Sequence, residues 1–160
     1  MKKQSVHLEF TTYENLSELP ANVASLMQEA IIARDQAYAP YSKFKVGAAI
    51  LLENGAVVTG SNQENAAYPS GLCAERVAVF YAGAKYPGVA VKTVAVTACN
   101  ENKDNLHPIP PCGACRQSLA EYEMLANNNI ELFFMGAEGA IFKSDSIKDL
   151  LPFTFDKNFL

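Results

Sequence analysis

Two short cysteine segments constrain this chain more than any other feature: Cys73-Ala74-Glu75, and further on Pro111-Cys112-Gly113-Ala114-Cys115. If the two segments converge in space, they offer three sulfur ligands and one carboxylate. Three thiolates can hold a tetrahedral zinc and leave its fourth position open, the arrangement that separates a catalytic zinc from a structural one closed by four protein ligands. Any fold this chain adopts must then bring residues 73 and 112–115 to one point. Glu75, two residues after the first cysteine, is the candidate for handling protons at that open position.

Both segments read as helix starts. A zinc held by three thiolates carries excess negative charge, and a helix N-terminus supplies partial positive charge and free N–H donors that offset it. The same environment lowers thiol pKa, so the ligands ionise near neutral pH. Cys112 and Cys115, spaced i and i+3, share one helical face. Arg76 follows Glu75 and is placed to donate to the thiolates and neutralise them. Other readings stand beside these. Pro-Cys-x-x-Cys at a helix start also suits a thioredoxin-type redox pair, although such a pair needs no third cysteine followed by Ala-Glu. Cys73 taken alone reads as a core cysteine, Glu75 as a complement to the helix dipole, and Arg76 as a solvated surface residue. A structural zinc would want a fourth ligand, for which His7 and His107 are the candidates. Cys99 sits in an apolar run and reads as a small buried hydrophobe.

Composition narrows the partners. With 160 residues, 49% of them hydrophobic and 19% charged, the chain suits one ordinary domain with a sizeable core. The net charge is −4 and no Lys/Arg cluster occurs, which argues against a polynucleotide and for a small neutral substrate. No apolar run approaches the length of a membrane span, and MKKQSVHLEF lacks the apolar core of a signal peptide. The chain reads as cytoplasmic, a reducing compartment that disfavours disulfides between its four cysteines.

Residues 1–20 form a lead-in ending at Pro20, within which Val6, Leu8 and Phe10 alternate as a short strand. Residues 21–160 read as a single domain. Ala21 to Tyr38 has helical spacing of apolar residues and stops before Pro40. Phe44 to Leu52 is a strand, and Glu53-Asn54-Gly55 predicts a type I′ hairpin turn into a partner strand over Ala56 to Gly60. A loop runs from Ser61 to Gly71. Helices are expected over Leu72 to Lys85 and Gly113 to Leu125, and a buried strand over Val91 to Cys99. Asn100 to Pro111 is a polar, proline-bearing loop. Strands at Ile130 to Met135 and Ala140 to Lys143 precede a short helix capped by Ser146. The predicted class is α/β: a three-layer sandwich, a mixed sheet of about five strands with helices on both faces.

Several blocks together resemble a known family. A His or Cys ligand, one residue, Glu and then Pro-Cys-x-x-Cys is the general signature already established for zinc-dependent deaminases. Tyr38-Ala39-Pro40-Tyr41-Ser42-Lys43-Phe44-Lys45-Val46-Gly47, the run from Gly60 to Pro69, Gly71 to Arg76, Pro111 to Gln117, and Leu150-Leu151-Pro152 with Phe155 are similar, in order, to the blocks of cytidine deaminases of the small-subunit, three-cysteine type. The resemblance covers about residues 22 to 155. It implies the cytidine deaminase-like fold and hydrolytic deamination of cytidine and 2′-deoxycytidine to uridine and 2′-deoxyuridine, with ammonia released, by a zinc-bound hydroxide and a glutamate proton shuttle, in pyrimidine salvage.

The same resemblance implies one zinc per subunit on Cys73, Cys112 and Cys115, with Glu75 as the shuttle and Arg76 beside the thiolates. Asn62 and Glu64 would hydrogen-bond a ribose hydroxyl, and Phe44 would line the pocket beside the nucleoside. The backbone from Ala66 to Tyr68 would shape the cleft. Phe155 would reach a neighbouring subunit's site in a homotetramer. Two segments depart from the pattern: the lead-in has no counterpart in the family blocks, and the loop from Asn100 to Pro110 stands where access to the site can vary. Ser61 and Ala67 stand where relatives often carry cysteine. Three rival readings remain distinct: a deaminase of another aminated substrate, a zinc-binding interaction module without activity, and a thiol redox protein.

Overall fold

The computed structural model describes residues 1–102 and 104–160; Lys103, inside the predicted loop after residue 99, lies outside the described residues. The elements run β1 (Thr11–Tyr13), α1 (Ala21–Asp35), β2 (Lys45–Leu52), β3 (Val57–Ser61), α2 (Ala74–Lys85), β4 (Val91–Cys99), α3 (Gly113–Ala126), β5 (Glu131–Met135), β6 (Ile141–Ser144) and α4 (Ile147–Leu150). One mixed sheet has the order β1-β6-β5-β4-β2-β3. Only β4 and β5 pair in parallel, joined by the α3 crossover; the other neighbours are antiparallel. The expected sandwich is therefore present, with six strands in place of about five.

The additional strand comes from the lead-in. The alternation at Val6, Leu8 and Phe10 points to the wrong stretch: residues 1–10 carry no strand, and Thr11–Tyr13 pairs instead with Ile141–Lys143 of β6. A free sheet edge offers unpaired N–H and C=O groups, and β1 is held there by ring contacts of Phe10 with Phe142 at 4.7 Å and of Tyr13 with Phe133 at 6.2 Å. Leu19, just before Pro20, is buried.

The period-2 alternation of β2 divides the core. Ala48, Ile50 and Leu52 pack with Ala78 and Val79 of α2 and Leu119 of α3 on one face. Ala49, with Ala95 and Phe133, packs against Leu26, Met27 and Ala30 of α1 on the other. β4, central between β2 and β5, is buried from Thr93 to Cys99, which explains its nearly continuous apolar reading. Two glycines permit close layers. A Cβ on Gly47 would lie 2.0 Å from the Ala30 carbonyl of α1, and one on Gly60 would lie 2.5 Å from the Ala74 carbonyl of α2.

Among the differences from expectation, two helix boundaries move because of tertiary hydrogen bonds and one turn changes type. α1 ends at Asp35, not Tyr38, because Tyr38 is drawn into a bridge with Gln63: its N–H donates to Asn62 O at 3.1 Å and its carbonyl accepts from Glu64 N at 2.9 Å. α2 begins at Ala74, because Leu72 pairs with Gln63 in both directions. The β2–β3 hairpin is present but its turn is not type I′. Gly55 alone has positive φ (+81°), and its N–H bonds Leu52 O at 2.9 Å, the pattern of a type I turn followed by a glycine bulge.

Candidate metal centre and substrate cleft

Cys73 is the N-cap residue of α2 and Cys112 that of α3, both with extended backbone; Cys115 lies in the first turn of α3. The paired bonds between Gln63 and Leu72 present Cys73 at the end of β3's following loop, and the β4–α3 connection presents Cys112. Cys73 Sγ is 3.9 Å from Cys112 Sγ, Cys112 Sγ is 3.5 Å from Cys115 Sγ, and all three sulfurs lie within 4.8 Å of one another. A tetrahedron with metal–sulfur bonds of about 2.3 Å has sulfur–sulfur edges of about 3.8 Å, so the spacing fits a zinc ion. Among the described residues neither His7 nor His107 joins this group; both are exposed. The closed, four-ligand reading is thereby removed, and the redox reading loses its separate pair, since the third sulfur is within the same cluster. Cys99 is buried, as expected of a core cysteine.

The charges agree with this donor set. The hydrogen bond from Cys115, reinforced by Arg76 and Cys112 against the effect of burial, pulls the Cys73 thiol down to about 5. The same bond to Cys73, together with burial and the Glu75 carboxylate, pushes Cys115 up. Three crowded sulfurs cannot all ionise without a cation among them; a dication makes that possible. Arg76 Nη2 lies 3.9 Å from Cys73 Sγ, as its sequence position suggests.

Glu75, in the first turn of α2, is only 4% exposed, and its Oε2 is buried without a hydrogen-bond partner among the described residues. Burial first, and the neighbouring Cys73 charge second, push its carboxyl up from the usual carboxylate range. An unpaired carboxylate oxygen beside three sulfurs is costly as structure alone, and is what a proton-transferring group awaiting its substrate requires.

These groups open onto a cleft of about 690 Å³, within the range of small-molecule sites. Phe44, Asn62, Glu64, Tyr68, Cys73, Glu75, Arg76 and Cys112 all line it. Cys115 is buried behind. Asn62 Oδ1 accepts from Val46 N at 2.8 Å and its Nδ2 donates to Phe44 O at 3.0 Å, which fixes Phe44 at the start of β2. Glu64 Oε2 accepts from the N–H groups of Tyr41 (2.9 Å) and Ser42 (3.3 Å), and its Oε1 from the Ser42 hydroxyl. The Ser42 hydroxyl first, and the two backbone N–H groups with Lys43, hold the Glu64 carboxyl below its ordinary value despite some desolvation.

Ala66 is not among the lining residues, although its neighbours Asn65 and Tyr68 are. Phe155 also lies outside this chain's own cleft. It is exposed, stacks on Phe159 at 5.7 Å, and its carbonyl accepts from Gln117 Nε2 at 2.8 Å. Two functional contributors escape sequence reasoning. Ser42 both donates to Glu64 and accepts from Phe44 N at 3.0 Å. Arg116 Nε donates to Pro111 O at 2.8 Å and its Nη1 to Leu150 O at 3.0 Å, clamping the second cysteine segment to the C-terminal region. Their presence inside the recognised blocks is a signal, but their partners are visible only in three dimensions.

A family model described as "Cytidine and deoxycytidylate deaminase zinc-binding region" matches residues 21–127. The chain is 42% identical to a cytidine deaminase of Halalkalibacterium halodurans over 81% of this chain and 91% of that protein. It is likewise 42% identical to one of Sporosarcina psychrophila over 85% of this chain and 93% of that protein. The crystal structure of cytidine deaminase from Burkholderia pseudomallei superposes with a TM-score of 0.72 at 40% identity, covering 86% of this chain and 100% of that one. The matched region contains both cysteine segments, Glu75 and the cleft around them, so the chain belongs to the zinc-dependent cytidine and deoxycytidylate deaminase family.

Proposed function

We propose that this chain hydrolyses cytidine and 2′-deoxycytidine to uridine and 2′-deoxyuridine with release of ammonia, as a pyrimidine-salvage enzyme of the cytoplasm. The observation that carries the reading is the three-sulfur cluster with the buried, unpartnered Glu75 carboxylate oxygen beside it, opening onto a nucleoside-sized cleft. Relatives at 42% identity are named cytidine deaminases, which selects the substrate. Residues 21–160 form the deaminase unit, with residues 1–20 as an addition to it.

One zinc per chain would be held by Cys73, Cys112 and Cys115, and when bound it would supply Lewis acidity that makes water a nucleophile near neutral pH. Glu75 takes a proton from that water and delivers it to N3 of the cytosine ring, which makes C4 more electrophilic. After water's oxygen has added to C4, Glu75 takes the remaining proton from that oxygen and passes it to the exocyclic amino group, so that the C4–N bond breaks, ammonia leaves and a C4 carbonyl remains. Burial keeps bulk water from replacing Glu75 in either transfer. Arg76 offsets the sulfur charge. Phe44 packs against the nucleoside, and Asn62 and Glu64 hold a ribose hydroxyl. Asn62 keeps one Nδ2 hydrogen, and Glu64 has roughly four acceptor sites of which three are used within the chain. Each therefore has capacity for one further bond. A site that satisfies itself on a sugar hydroxyl favours the nucleoside over the free base. The exposed Phe155 and the open mouth of the cleft suit a homotetramer in which neighbouring subunits complete each site.

The test is a cytidine assay by ultraviolet absorbance on protein of measured zinc content, beside 2′-deoxycytidine, cytosine and cytidine monophosphate. Turnover of both nucleosides in proportion to bound zinc is expected. Zinc-loaded protein inert towards both would refute the reading.

A further inference from the structure

The loop between β4 and α3 has a docking point that neither the metal centre nor the ribose contacts require. The carbonyl of Asn105 accepts from Ala137 N at 2.6 Å, and Asn105 Oδ1 accepts from Asn100 N at 2.8 Å. The loop therefore lies across the turn joining β5 and β6. The fit is close: a Cβ on Gly136 would stand 2.0 Å from Asn105 O and 2.7 Å from His107 O. Both are backbone atoms, which cannot swing aside as a side chain would.

The turn beneath is anchored to two other elements. Thr97 of β4, fully buried, donates its hydroxyl to Gly136 O at 2.6 Å and accepts from Arg34 Nη1 of α1 at 2.7 Å; Arg34, 3% exposed, also reaches Ala137 O at 3.3 Å. A buried arginine is rare unless paired, and here its Nη1, bonded to both Thr97 Oγ1 and Ala137 O, fixes the platform on which Asn105 rests. At its far end the loop is tied again, through Arg116 to Pro111 O. Between these ties stand Pro108 and Pro110, whose fixed φ leaves the segment little freedom. Ile109 and Pro110 form part of the cleft wall beside Cys112. A stiff span tied at both ends transmits the position of one anchor to its middle.

The geometry points to Asn105, seated on Gly136, as a positioning residue for the substrate: it sets where Ile109 and Pro110 stand in the nucleoside cleft, and so governs affinity for cytidine without touching it. This inference rests on the deaminase reading above. Gly136→Ala should lift the loop from its seat. Asn105→Ala keeps the Asn105 carbonyl that accepts from Ala137 N but removes the side-chain acceptor for Asn100 N that braces the loop there, and so should loosen its hold on the seat. Misplacing a cleft wall by about an ångström is enough to cost one to two orders of magnitude. Both variants should raise KM for cytidine about tenfold, with kcat within about threefold of wild type, because binding equal in ground and transition states is what is lost. Zinc should stay at one per chain. Amide hydrogen exchange over residues 104–109 should quicken. Asn105→Asp, which keeps the acceptor, should restore KM to near the wild-type value. Should Gly136→Ala disrupt the turn itself, the Asn105→Ala and Asn105→Asp pair decides alone. An unchanged KM in zinc-loaded Asn105→Ala overturns the inference, as does a loss of kcat that merely tracks lost zinc. A zinc-loaded wild type without turnover overturns the deaminase reading and this inference with it, whereas active wild type with indifferent variants overturns the inference only.

Discussion

Replacing Glu75 by glutamine separates metal binding from proton transfer. The side chain is nearly isosteric and remains in the first turn of α2, so the sulfur cluster keeps its geometry. The three sulfurs are presented by the backbone at the starts of α2 and α3. What is lost is a group able to accept and return a proton. A positioned general acid or base contributes about 10²–10⁴ in rate, and in the proposed mechanism Glu75 serves two successive transfers. The residue is 4% exposed, so no solvent species replaces it cheaply. The fall in kcat/KM should therefore be at least about 10⁴-fold, which corresponds to about 5.5 kcal/mol of transition-state stabilisation. Zinc content by mass spectrometry should stay at one per chain. Tm should not fall, because a charge disfavoured by burial has been removed. The assay is the absorbance change on converting cytidine to uridine, followed long enough to detect slow turnover. Activity within tenfold of wild type, at full zinc occupancy, would refute the shuttle role and the two-transfer arithmetic together.

Four further outcomes follow from the same contacts. Cys112→Ala removes the sulfur 3.9 Å and 3.5 Å from its two neighbours, and both zinc and activity should be lost together; unchanged metal content would exclude Cys112 as a ligand. Gly47→Ala places a methyl 2.0 Å from Ala30 O and 2.3 Å from Arg34 N, pushing α1 off the sheet; overpacking of this kind should cost about 3 kcal/mol and lower Tm on the order of 10 °C in a thermal melt. The folded pKa of Glu64 lies below its ordinary 4.5, so its stabilising contribution is full above that value and fades as pH falls through the lower, folded one. The Tm gap between wild type and Glu64→Gln should accordingly be widest near neutrality and shrink on acidification; a gap that widens in acid contradicts the assignment. Deleting residues 1–13 should leave zinc binding intact but uncover the β6 edge, with light scattering on heating as the readout.

Much of the layer structure is legible because it follows local periodicity. The alternation along Lys45–Leu52, the apolar run of β4 and the i, i+3, i+4 spacing in α1 each identify an element before any contact is known. The features that pattern misses are mostly those where a distant partner decides. Tyr38 reads as helical, yet Asn62 and Glu64 capture its backbone. Asn54-Gly55 is the usual type I′ pair, yet only Gly55 takes positive φ. The strand at Thr11–Tyr13 has almost no pattern of its own and exists because β6 offers an edge. In the site, residue type and spacing single out Cys73, Glu75, Cys112 and Cys115 as candidates, since few side chains ligate zinc or move protons, and the fold brings the three sulfurs together. Ser42, Arg116 and Asn105 carry no such chemical mark; what they do depends on partners in other segments, the Glu64 carboxylate, the Leu150 carbonyl and the Ala137 N–H.

Taken alone, the order of residues determined the chemistry this protein has to offer: which atoms can bind a dication, which can carry a proton, and which stretches must be helix or strand. Only the packed structure decided that the three sulfurs lie within 4.8 Å, that one oxygen of Glu75 is left unpaired, and that the loop bearing Ile109 rests on Gly136. The physical reason is a difference of range. Ligand preference and helical periodicity are properties of a residue and its near neighbours, whereas distance, desolvation and steric fit exist only between segments that folding brings together.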